Sequence, residues 1–367
     1  MTKITAAALL LVLLAGCSAR PAPTTMPPVT ASPIPSPTAS VAYVPAGDPT
    51  VVVSGLAAPW SMVRLDSGST LISERDSGVI KELTADGALR EVATVAGVVH
   101  AGEGGLLGLE YVAEGNWLYA YFTSDSDNRI QRFPLLGGPG TYSLGAGQDI
   151  LTGLEKANNH DGGRIKLGPD GLLYITVGDA TNTGNAQDLG SLNGKILRMN
   201  LDGSVPAGNP FPGSLVYSYG HRNPQGLAWD DSGQLWAAEF GQDTWDEFNV
   251  IQPGANYGWP VVEGIGGDPQ YADPVVQWAT DDASPSGLAR VGSTFFLAGL
   301  GGERLWVIQP GDPTTATPFY AGTYGRIRDV VPGPDGTLWM LTNNTDGRGD
   351  PRDGDDRILQ VTLAPAD

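Results

Sequence analysis

The sequence is poor in residue types on which several common functions depend. It contains one cysteine, three histidines, and 21 lysines and arginines against 40 aspartates and glutamates, which gives a formal net charge of -19. A single cysteine leaves no disulfide in a mature domain, and three scattered histidines argue against a zinc site. Because nucleic-acid phosphates require a basic protein face, this charge argues against nucleic acid as a partner.

Long helical patterns and several common catalytic signatures are also missing. No extended stretch places apolar residues at i, i+3, i+4 and i+7. There is no G-x-S-x-G elbow, no H-E-x-x-H pair and no G-x-x-x-x-G-K-[ST] loop. The chain does contain 51 glycines and 29 prolines with a hydrophobic content of 41%, which indicates a turn-rich but globular protein. The predicted fold class is therefore all-β.

The N-terminal residues predict a targeting segment. Lys3 supplies a positive start, residues 6–14 are apolar but too few to cross a bilayer, and L-A-G-C ends at Cys17. This pattern resembles a bacterial lipobox, so we expect residues 1–17 to be a lipoprotein signal peptide and Cys17 to carry the lipid. An ordinary secretory signal is the alternative. Residues 18–46, rich in Pro, Thr and Ser, predict a disordered tether, and the protein is expected to be exported and anchored to the bacterial cell membrane, facing outward.

One hairpin pattern recurs six times in the rest of the chain. Each copy has a Gly/Asp turn, a short strand, a polar break and a second strand, within residues 66–83, 115–133, 169–199, 231–251, 291–308 and 334–361. A period of roughly 40–60 residues is typical of propeller blades. We therefore predict a six-bladed β-propeller of four-stranded antiparallel blades over residues 47–367, with a pair of β-sandwiches as the alternative. Two inner strands per unit are recognisable, and the outer strands are not placed.

Residues 158–226 concentrate the polar groups that could carry chemistry. His160 could act as a general base, and Asp179, at the end of a strand in the same unit, could orient it. Arg222 and Asn223 follow a strand in G-H-R-N-P-Q-G. The alternative interpretation is that these are polar turn residues without a chemical role. Long insertions in units three and six are expected to cluster on one face and form the site.

Two further groups of residues suggest ligands. Arg326 and Arg328 alternate in Y-G-R-I-R-D, so both should point to one face and could bind carboxylates, although surface salt bridges are equally compatible. Asp246 and Glu247, near Gly-rich turns, are hard oxygen ligands of the kind that Ca²⁺ prefers, but no EF-hand loop is present. The acidic run at 346–357 is interpreted as a solvated loop.

Several longer motifs resemble one family. They include G-L-A-A-P-W (55–60), G-E-G-G-L-L-G-L (102–109), N-N-H-D-G-G-R-I (158–165), A-Q-D-L-G-S-L-N-G-K-I-L-R (186–198), Y-S-Y-G-H-R-N-P-Q-G-L (217–227) and D-E-F-N-V-I-Q-P-G-A-N-Y-G-W-P (246–260). The chain resembles the soluble PQQ-dependent sugar dehydrogenases, which include aldose and sorbosone dehydrogenase-like proteins. The resemblance covers nearly all of residues 49–363 and implies a six-bladed propeller.

The resemblance implies roles for individual residues. His160 would be the catalytic base, Asp179 its partner, and Arg222 would stabilise charge on the cofactor. The implied cofactor-binding residues are Glu103, Arg222, Asn223, Gly301, Arg326 and Arg328, with Gly301 standing where the family commonly has Lys or Arg. The carbonyls of Gly241 and Gln242 would bind a Ca²⁺ that polarises the quinone. Glu247 and the carbonyl of Tyr257 would bind a second, structural Ca²⁺.

Two functions are therefore weighed. The first is an oxidoreductase that oxidises a sugar or aldose-type alcohol by hydride transfer to Ca²⁺-bound PQQ and passes electrons to an external acceptor. The second is a cofactor-free propeller lipoprotein that binds carbohydrate or a protein partner at the cell surface. The set of His160, Asp179, Arg222, Arg326 and Arg328 favours the first, because a binding module does not need all five. Gly301 favours the second.

Overall fold

The computed structural model describes residues 40–311 and 314–366. The predicted signal peptide, Cys17 and most of the predicted tether lie outside these residues. None of the helices in the described ranges has the length and apolarity that a membrane crossing requires. Strand structure begins before the predicted domain boundary at residue 47, because β1 (Tyr43–Pro45) pairs with the last strand, β27 (Leu363–Pro365).

Six antiparallel sheets form the body of the fold and confirm the predicted propeller. Blade one comprises β3 (Pro59–Arg64), β4 (Thr70–Glu74), β5 (Val79–Leu83) and β6 (Leu89–Thr94). Blade two comprises β7 (Leu106–Val112), β8 (Trp117–Thr123), β9 (Asn128–Leu136), β10 (Ser143–Leu144) and β11 (Gln148–Leu154). Blade three comprises β12 (Ile165–Leu167), β13 (Leu173–Val177), β14 (Lys195–Met199) and β15 (Val216–Tyr219). Blade two has a fifth strand because β10 and β11 both pair with β9.

Blades four to six complete the ring. Blade four comprises β16 (Asn223–Trp229), β17 (Leu235–Phe240), β18 (Trp245–Ile251) and β19 (Val276–Ala279). Blade five comprises β20 (Pro285–Val291), β21 (Thr294–Gly299), β22 (Arg304–Gln309) and β23 (Thr315–Phe319). Blade six comprises β24 (Ile327–Pro332), β25 (Leu338–Thr342) and β26 (Ile358–Val361), together with β2 (Thr50–Val53). The only helical turns among the described residues are α1 (Gly184–Gln187) and the 3₁₀ turn Pro334–Gly336. Since β2 supplies the outer strand of the last blade, the two ends of the domain are joined by backbone hydrogen bonds.

Hydrophobic clusters between neighbouring blades hold the ring together. Six clusters of buried side chains occupy the six blade–blade interfaces, for example Trp236, Phe248 and Phe295 between blades four and five. A blade packed on both faces has no solvent side, so a middle strand such as β13 is buried at every residue. Full burial of one large apolar side chain contributes about 1.5–3 kcal/mol, so each interface is strongly stabilising.

At five of the six interfaces the first strands of neighbouring blades contact one another around the centre of the ring, and between blades three and four β16 contacts the second strand, β13. The two strands recognised in every sequence repeat are the second and third strands of the blade. A tight turn joins the first strand to the second, and in five blades it contains a glycine with φ between 74° and 87° two residues before the second strand (Gly68, Gly115, Gly171, Gly233 and Gly336). Glycine adopts this conformation without steric cost, which explains the repeated D-S-G and P-D-G sequences.

Candidate active site

A cavity of about 290 Å³ opens at one face of the central channel. Its wall is formed by two kinds of connection, those that lead into the first strand of a blade and those that join the second strand to the third. In antiparallel blades both connections lie at the same face, which brings together residues far apart in sequence. The lining residues include Trp60, Glu103, Asn159, His160, Asp161, Arg222, Asn223, Gly241, Gln242, Asp246, Leu300, Arg326, Arg328 and Arg348.

His160 and Asp179 form the hydrogen-bonded pair that the sequence predicted. The Nδ1 atom of His160 lies 2.7 Å from Oδ1 of Asp179, whose side chain is fully buried. The same carboxylate accepts hydrogen bonds from the Thr181 N–H at 2.8 Å and from Nε1 of Trp259 at 2.8 Å. An ionised carboxylate only accepts hydrogen bonds, so Nδ1 of His160 is the protonated nitrogen. Nε2 forms no hydrogen bond within the described residues and remains a free acceptor, as a general base requires.

The backbone around His160 is held in a sparsely populated conformation. His160 has φ of 65°, which is unfavourable for a residue with a Cβ. Its N–H donates to Oε2 of Glu103 at 3.0 Å, and the hydroxyl of Tyr121 donates to the carbonyl of Asp161 at 2.8 Å. Close approach also requires Gly178, since a Cβ there would lie 2.0 Å from the His160 carbonyl oxygen. Strain of this kind is concentrated at functional sites, because the surrounding contacts must maintain it.

The long connection from β13 to β14 carries Asp179, and a buried lysine holds this connection in place through hydrogen bonds. Nζ of Lys195 donates to the carbonyls of Asn185, Ala186 and Asn193 at 2.6, 3.1 and 2.8 Å. Burial lowers the pKa of Lys195 to about 8. Three carbonyl partners satisfy the ammonium group, so this connection is a rigid support for Asp179.

Arginines from blades four and six face the same cavity. Arg222 donates from Nε and Nη2 to the side-chain oxygen of Gln242 at 2.9 and 2.6 Å, and burial lowers its pKa. Arg326 and Arg328 converge as their alternation predicted, and both reach the carboxylate of Asp346, at 3.1 and 3.7 Å. Asn223 accepts a hydrogen bond from the Gly162 N–H at 3.0 Å and also lines the cavity.

The two blade-six arginines keep unused hydrogen-bonding capacity. The Nε atoms of Arg326 and Arg328 are buried and have no partner among the described residues. Burial lowers the pKa of Arg328 to about 9, with Asp346 opposing the shift. Its guanidinium lies 5.7 Å from the ring of Trp60, against which the buried Arg164 also packs, at 4.4 Å. Buried donors without partners favour an anionic ligand at this end of the cavity.

Arg348 is a cavity residue that sequence reasoning missed. The acidic run at 346–357 was interpreted as a solvated loop, which is wrong for its buried members, Asp346 and Asp356. Arg348, on the same connection, donates from Nη1 to Glu103 at 2.9 Å and from Nη2 to Asn159 at 3.1 Å. Burial alone would raise the pKa of Glu103, but the His160 N–H and the Arg348 guanidinium together lower it. Glu103 is therefore an ionised, paired carboxylate at the cavity.

One other sequence expectation, a cofactor contact at Gly301, differs from the structure. Gly301 is exposed and is not part of the cavity wall, to which its neighbour Leu300 contributes. A Cβ at position 301 would lie 2.5 Å from Oγ of Ser284, so the turn itself accounts for a glycine. His221, in the same motif as Arg222, is fully buried between Ser218 and Glu239 at 2.8 and 2.7 Å and does not reach the cavity.

The four predicted metal ligands fall into two places. Gly241 and Gln242 line the main cavity, and their carbonyl oxygens accept no hydrogen bond in the described part of the chain. Glu247 and Tyr257 line an adjoining small void together with Glu239, and this void shares Arg222 and Gly241 with the main cavity. Burial, with repulsion from Glu239 as the next cause, raises the pKa of Glu247 to about 8.

Side chains alone do not form a metal cluster. Residues 40–311 and 314–366 contain no group of three or more His, Cys, Asp or Glu side chains that could hold a metal. Any cation here would therefore depend on backbone carbonyls. Oxygen donors of this kind suit Ca²⁺ rather than a transition metal. Asp246 also lines the main cavity, and burial raises its pKa to about 7, while its oxygens accept from the N–H groups of Gly241 and Ser284.

Fold and site together define a six-bladed propeller with a histidine–aspartate pair beside an arginine-lined cavity. A family model described as Glucose / Sorbosone dehydrogenase matches residues 56–352. The chain therefore belongs to the Glucose / Sorbosone dehydrogenase family, which confirms the resemblance inferred from its motifs and the sugar-dehydrogenase class that it implies.

Individual relatives agree with this assignment. A PQQ-bound aldose sugar dehydrogenase structure from Streptomyces coelicolor is 48% identical with a TM-score of 0.84, covering 90% of this chain and 100% of that one. The aldose sugar dehydrogenase YliI of Escherichia coli is 30% identical over 79% of this chain and 88% of its own length. Quinoprotein glucose dehydrogenase B of Acinetobacter calcoaceticus is 34% identical over 61% of this chain and 55% of its own length.

Proposed function

We propose that the protein oxidises a sugar at a ring or chain hydroxyl-bearing carbon, with PQQ as cofactor, Ca²⁺ beside it and an external electron acceptor. One observation carries the proposal. The free Nε2 of His160 faces the same cavity as the guanidinium groups of Arg222, Arg326, Arg328 and Arg348. A base beside a concentration of positive charge suits proton removal from a neutral substrate next to an anionic acceptor.

The residues fit an anionic, planar cofactor. The chain carries 21 basic side chains in total, and four arginines line this one cavity. Arg326 and Arg328 would bind carboxylates of PQQ through donors that now face Asp346 or have no partner, and Asn223 would contact its ring. Gly301 is removed from the proposed binding set, because it does not line the cavity. PQQ, when bound, accepts a hydride from the carbon that is oxidised.

The chain's own residues would manage the proton. Asp179 keeps Nδ1 of His160 protonated, so Nε2 can accept the proton of the substrate hydroxyl while the C–H bond of the same carbon is broken. Glu103 holds the His160 N–H and so fixes the position of the base. Arg222, anchored by Gln242, places a positive charge in the wall of the same cavity, where it would stabilise negative charge that develops on reduction.

The carbonyls of Gly241 and Gln242 would hold the Ca²⁺ of the main cavity, and Glu247 with the Tyr257 carbonyl would hold a structural Ca²⁺. Their oxygens are of the hard type that Ca²⁺ prefers, and the carbonyls are free. The predicted lipid anchor at Cys17 would place the domain outside the bacterial cell membrane, near external electron acceptors. Labelling with a fatty-acid analogue, compared between the natural chain and Cys17→Ala, tests the anchor.

The alternative function, a cofactor-free propeller that binds carbohydrate or a protein partner, makes the opposite prediction about PQQ. The deciding experiment is calorimetric titration of residues 40–367 with PQQ, with and without Ca²⁺, followed by dye reduction with a panel of aldoses. Calcium-dependent binding with sugar-dependent dye reduction is the expected result. Absence of PQQ binding at high micromolar concentration would exclude the dehydrogenase and favour the binding module.

A further inference from the structure

The short turn between β17 and β18 is built around a single carboxylate. Glu263 lies on the connection from β18 to β19, and its Oε1 atom accepts four consecutive backbone N–H groups of this turn. The donors are Gln242, Asp243, Thr244 and Trp245, at 2.7, 3.2, 3.1 and 3.1 Å. Consecutive N–H groups that converge on one point form a nest, which binds anions. We call residues 241–245 the cation turn, because its first two carbonyls are the proposed Ca²⁺ ligands.

The nest determines where the proposed Ca²⁺ ligands point. The carbonyl of Gly241 shares its peptide group with the Gln242 N–H, and the carbonyl of Gln242 shares its peptide group with the Asp243 N–H. In a trans peptide the N–H and C=O groups point in opposite directions. Since both N–H groups face Glu263, both carbonyls point away from it. Neither carbonyl accepts a hydrogen bond from residues 40–311 or 314–366, and Gly241 and Gln242 both line the main cavity.

The backbone that carries Glu263 is itself anchored to blade four. The N–H of the next residue, Gly264, donates to Oε1 of Glu247 in β18 at 2.8 Å. The N–H of Ile265 donates to the side-chain oxygen of Gln277 in β19 at 2.7 Å. The carboxylate is therefore presented to the cation turn from a fixed position. Its hydrogen bonds are charge-assisted, which makes them stronger than those of a neutral acceptor.

The cation turn also anchors the guanidinium of Arg222. Nε and Nη2 of Arg222 donate to the side-chain oxygen of Gln242, and Nη1 donates to the carbonyl of Phe240 at 3.3 Å. The shortest of the four nest contacts, at 2.7 Å, holds the backbone of the same glutamine. A displacement of the turn would therefore move both the proposed Ca²⁺ ligands and the arginine. Glu263 does not line the main cavity and acts only through the turn.

We propose that Glu263 is a positioning residue, whose carboxylate holds the cation turn in the conformation that presents two carbonyls to Ca²⁺ and Gln242 to Arg222. The proposal rests on the proposed function, because it places Ca²⁺ beside PQQ at these carbonyls. Backbone carbonyls are neutral ligands, so their contribution to Ca²⁺ binding depends on how well they are prearranged. Loss of the carboxylate should therefore weaken the effect of Ca²⁺ on PQQ binding. Binding of PQQ by Arg326 and Arg328 should remain.

The test compares three variants with the natural protein. Glu263→Ala removes the acceptor, whereas Glu263→Gln keeps one acceptor oxygen at the same reach. The matched control is Asp273→Ala. Asp273 lies on the same connection and accepts the N–H groups of Gly266 and Gly267 at 2.9 and 3.2 Å, but it lines neither the main cavity nor the small void beside it.

The first measurement is the dissociation constant of PQQ by calorimetry, with and without Ca²⁺. We expect Ca²⁺ to tighten PQQ binding about tenfold or more in the natural protein and in Asp273→Ala, and about twofold or less in Glu263→Ala. Glu263→Gln should lie between them. Equal tightening in Glu263→Ala and the natural protein would overturn the proposal and leave the dehydrogenase intact. A glutamine variant as impaired as the alanine variant, or no effect of Ca²⁺ on the natural protein, would also overturn it.

Amide hydrogen exchange of the PQQ-free protein supplies the second measurement. Exchange at residues 242–245 should be about tenfold faster or more in Glu263→Ala than in the natural protein, and unchanged in Asp273→Ala. Failure of the natural protein to bind PQQ would refute the proposed function. The exchange rates and a Ca²⁺ titration of the PQQ-free protein would then decide the role of Glu263. Faster exchange with weaker Ca²⁺ binding in Glu263→Ala would support it, and no change in either would overturn it.

Discussion

Replacement of Asp179 by asparagine tests the catalytic geometry most directly. The carboxylate accepts three N–H groups, from His160, Thr181 and Trp259, in a fully buried position. An asparagine of the same shape has one acceptor oxygen and one NH₂ group, so it cannot satisfy all three donors. If its NH₂ faces the imidazole, Nδ1 must become the acceptor and Nε2 carries the proton. The base then cannot accept a proton from substrate.

The expected loss in kcat is about 10³- to 10⁴-fold, by comparison with the same substitution in a serine protease triad, and corresponds to about 4–5.5 kcal/mol in the barrier. Stability should fall by about 1–3 kcal/mol, since one buried donor loses its partner. The affinity for PQQ should change little, because Asp179 does not line the main cavity. Dye reduction at saturating sugar, calorimetry with PQQ and urea denaturation measure the three quantities.

A matched control lies in the same blade. Asp170 pairs with Arg198 at 2.7 Å in the turn between β12 and β13, at the opposite face of the propeller from the cavity. Asp170→Asn should therefore leave kcat unchanged. A kcat for Asp179→Asn within tenfold of the natural protein, with Asp170→Asn behaving alike, would refute the assignment of His160 and Asp179 as base and orienting partner.

Three further predictions follow from the cavity. Arg326→Gln and Arg328→Gln should each weaken PQQ binding in calorimetry by about 10- to 150-fold, because each loses a charge-assisted contact worth about 1.5–3 kcal/mol, and unchanged affinity would contradict the anion site. Arg348→Ala should lower kcat/KM for sugars about tenfold, because Glu103 then loses its charged partner. The control is Arg352→Ala on the same connection, which should leave kcat/KM unchanged because Arg352 donates only to the carbonyls of residues 322 and 323. Equal effects of the two substitutions would show that Arg348 is not part of the site. Burial raises the pKa of Asp161 to about 6, so the folded state binds the proton of this carboxyl more tightly than the unfolded state. The free energy of unfolding should therefore decline by at most about 3 kcal/mol as pH rises from about 4 to about 6. Asp161→Asn should remove that component in urea denaturation across this range, and an unchanged pH dependence would contradict it.

The repeat could be recognised from sequence because two strands in each blade are packed on both faces. Strands such as β4 and β13 are buried throughout and read as compact apolar runs between Gly/Asp turns. The outer strands escaped recognition because they contain few or no fully buried residues, as in β6 and β23, where every residue is partly or fully exposed. The first strands escaped for another reason. Their pairing with the second strand contains a bulge in five blades, often beside Pro or Gly, which interrupts the alternation that identifies a strand.

The sequence alone determined the number of blades, the family, and the candidates that lie within recognisable motifs, among them His160, Asp179 and Arg222. Local sequence carries those signals because turns and two-sided burial act over a few residues. It singled out His160 through the motif, but it could not show that His221 is buried, since both histidines lie in Gly- and Asn-rich turns and only packing places one at the cavity and the other in the core. Nor could it connect Arg348 or Trp259 to the base. Each comes from a different blade, and only closure of the ring, completed by β2 on the last blade, brings these connections to one face.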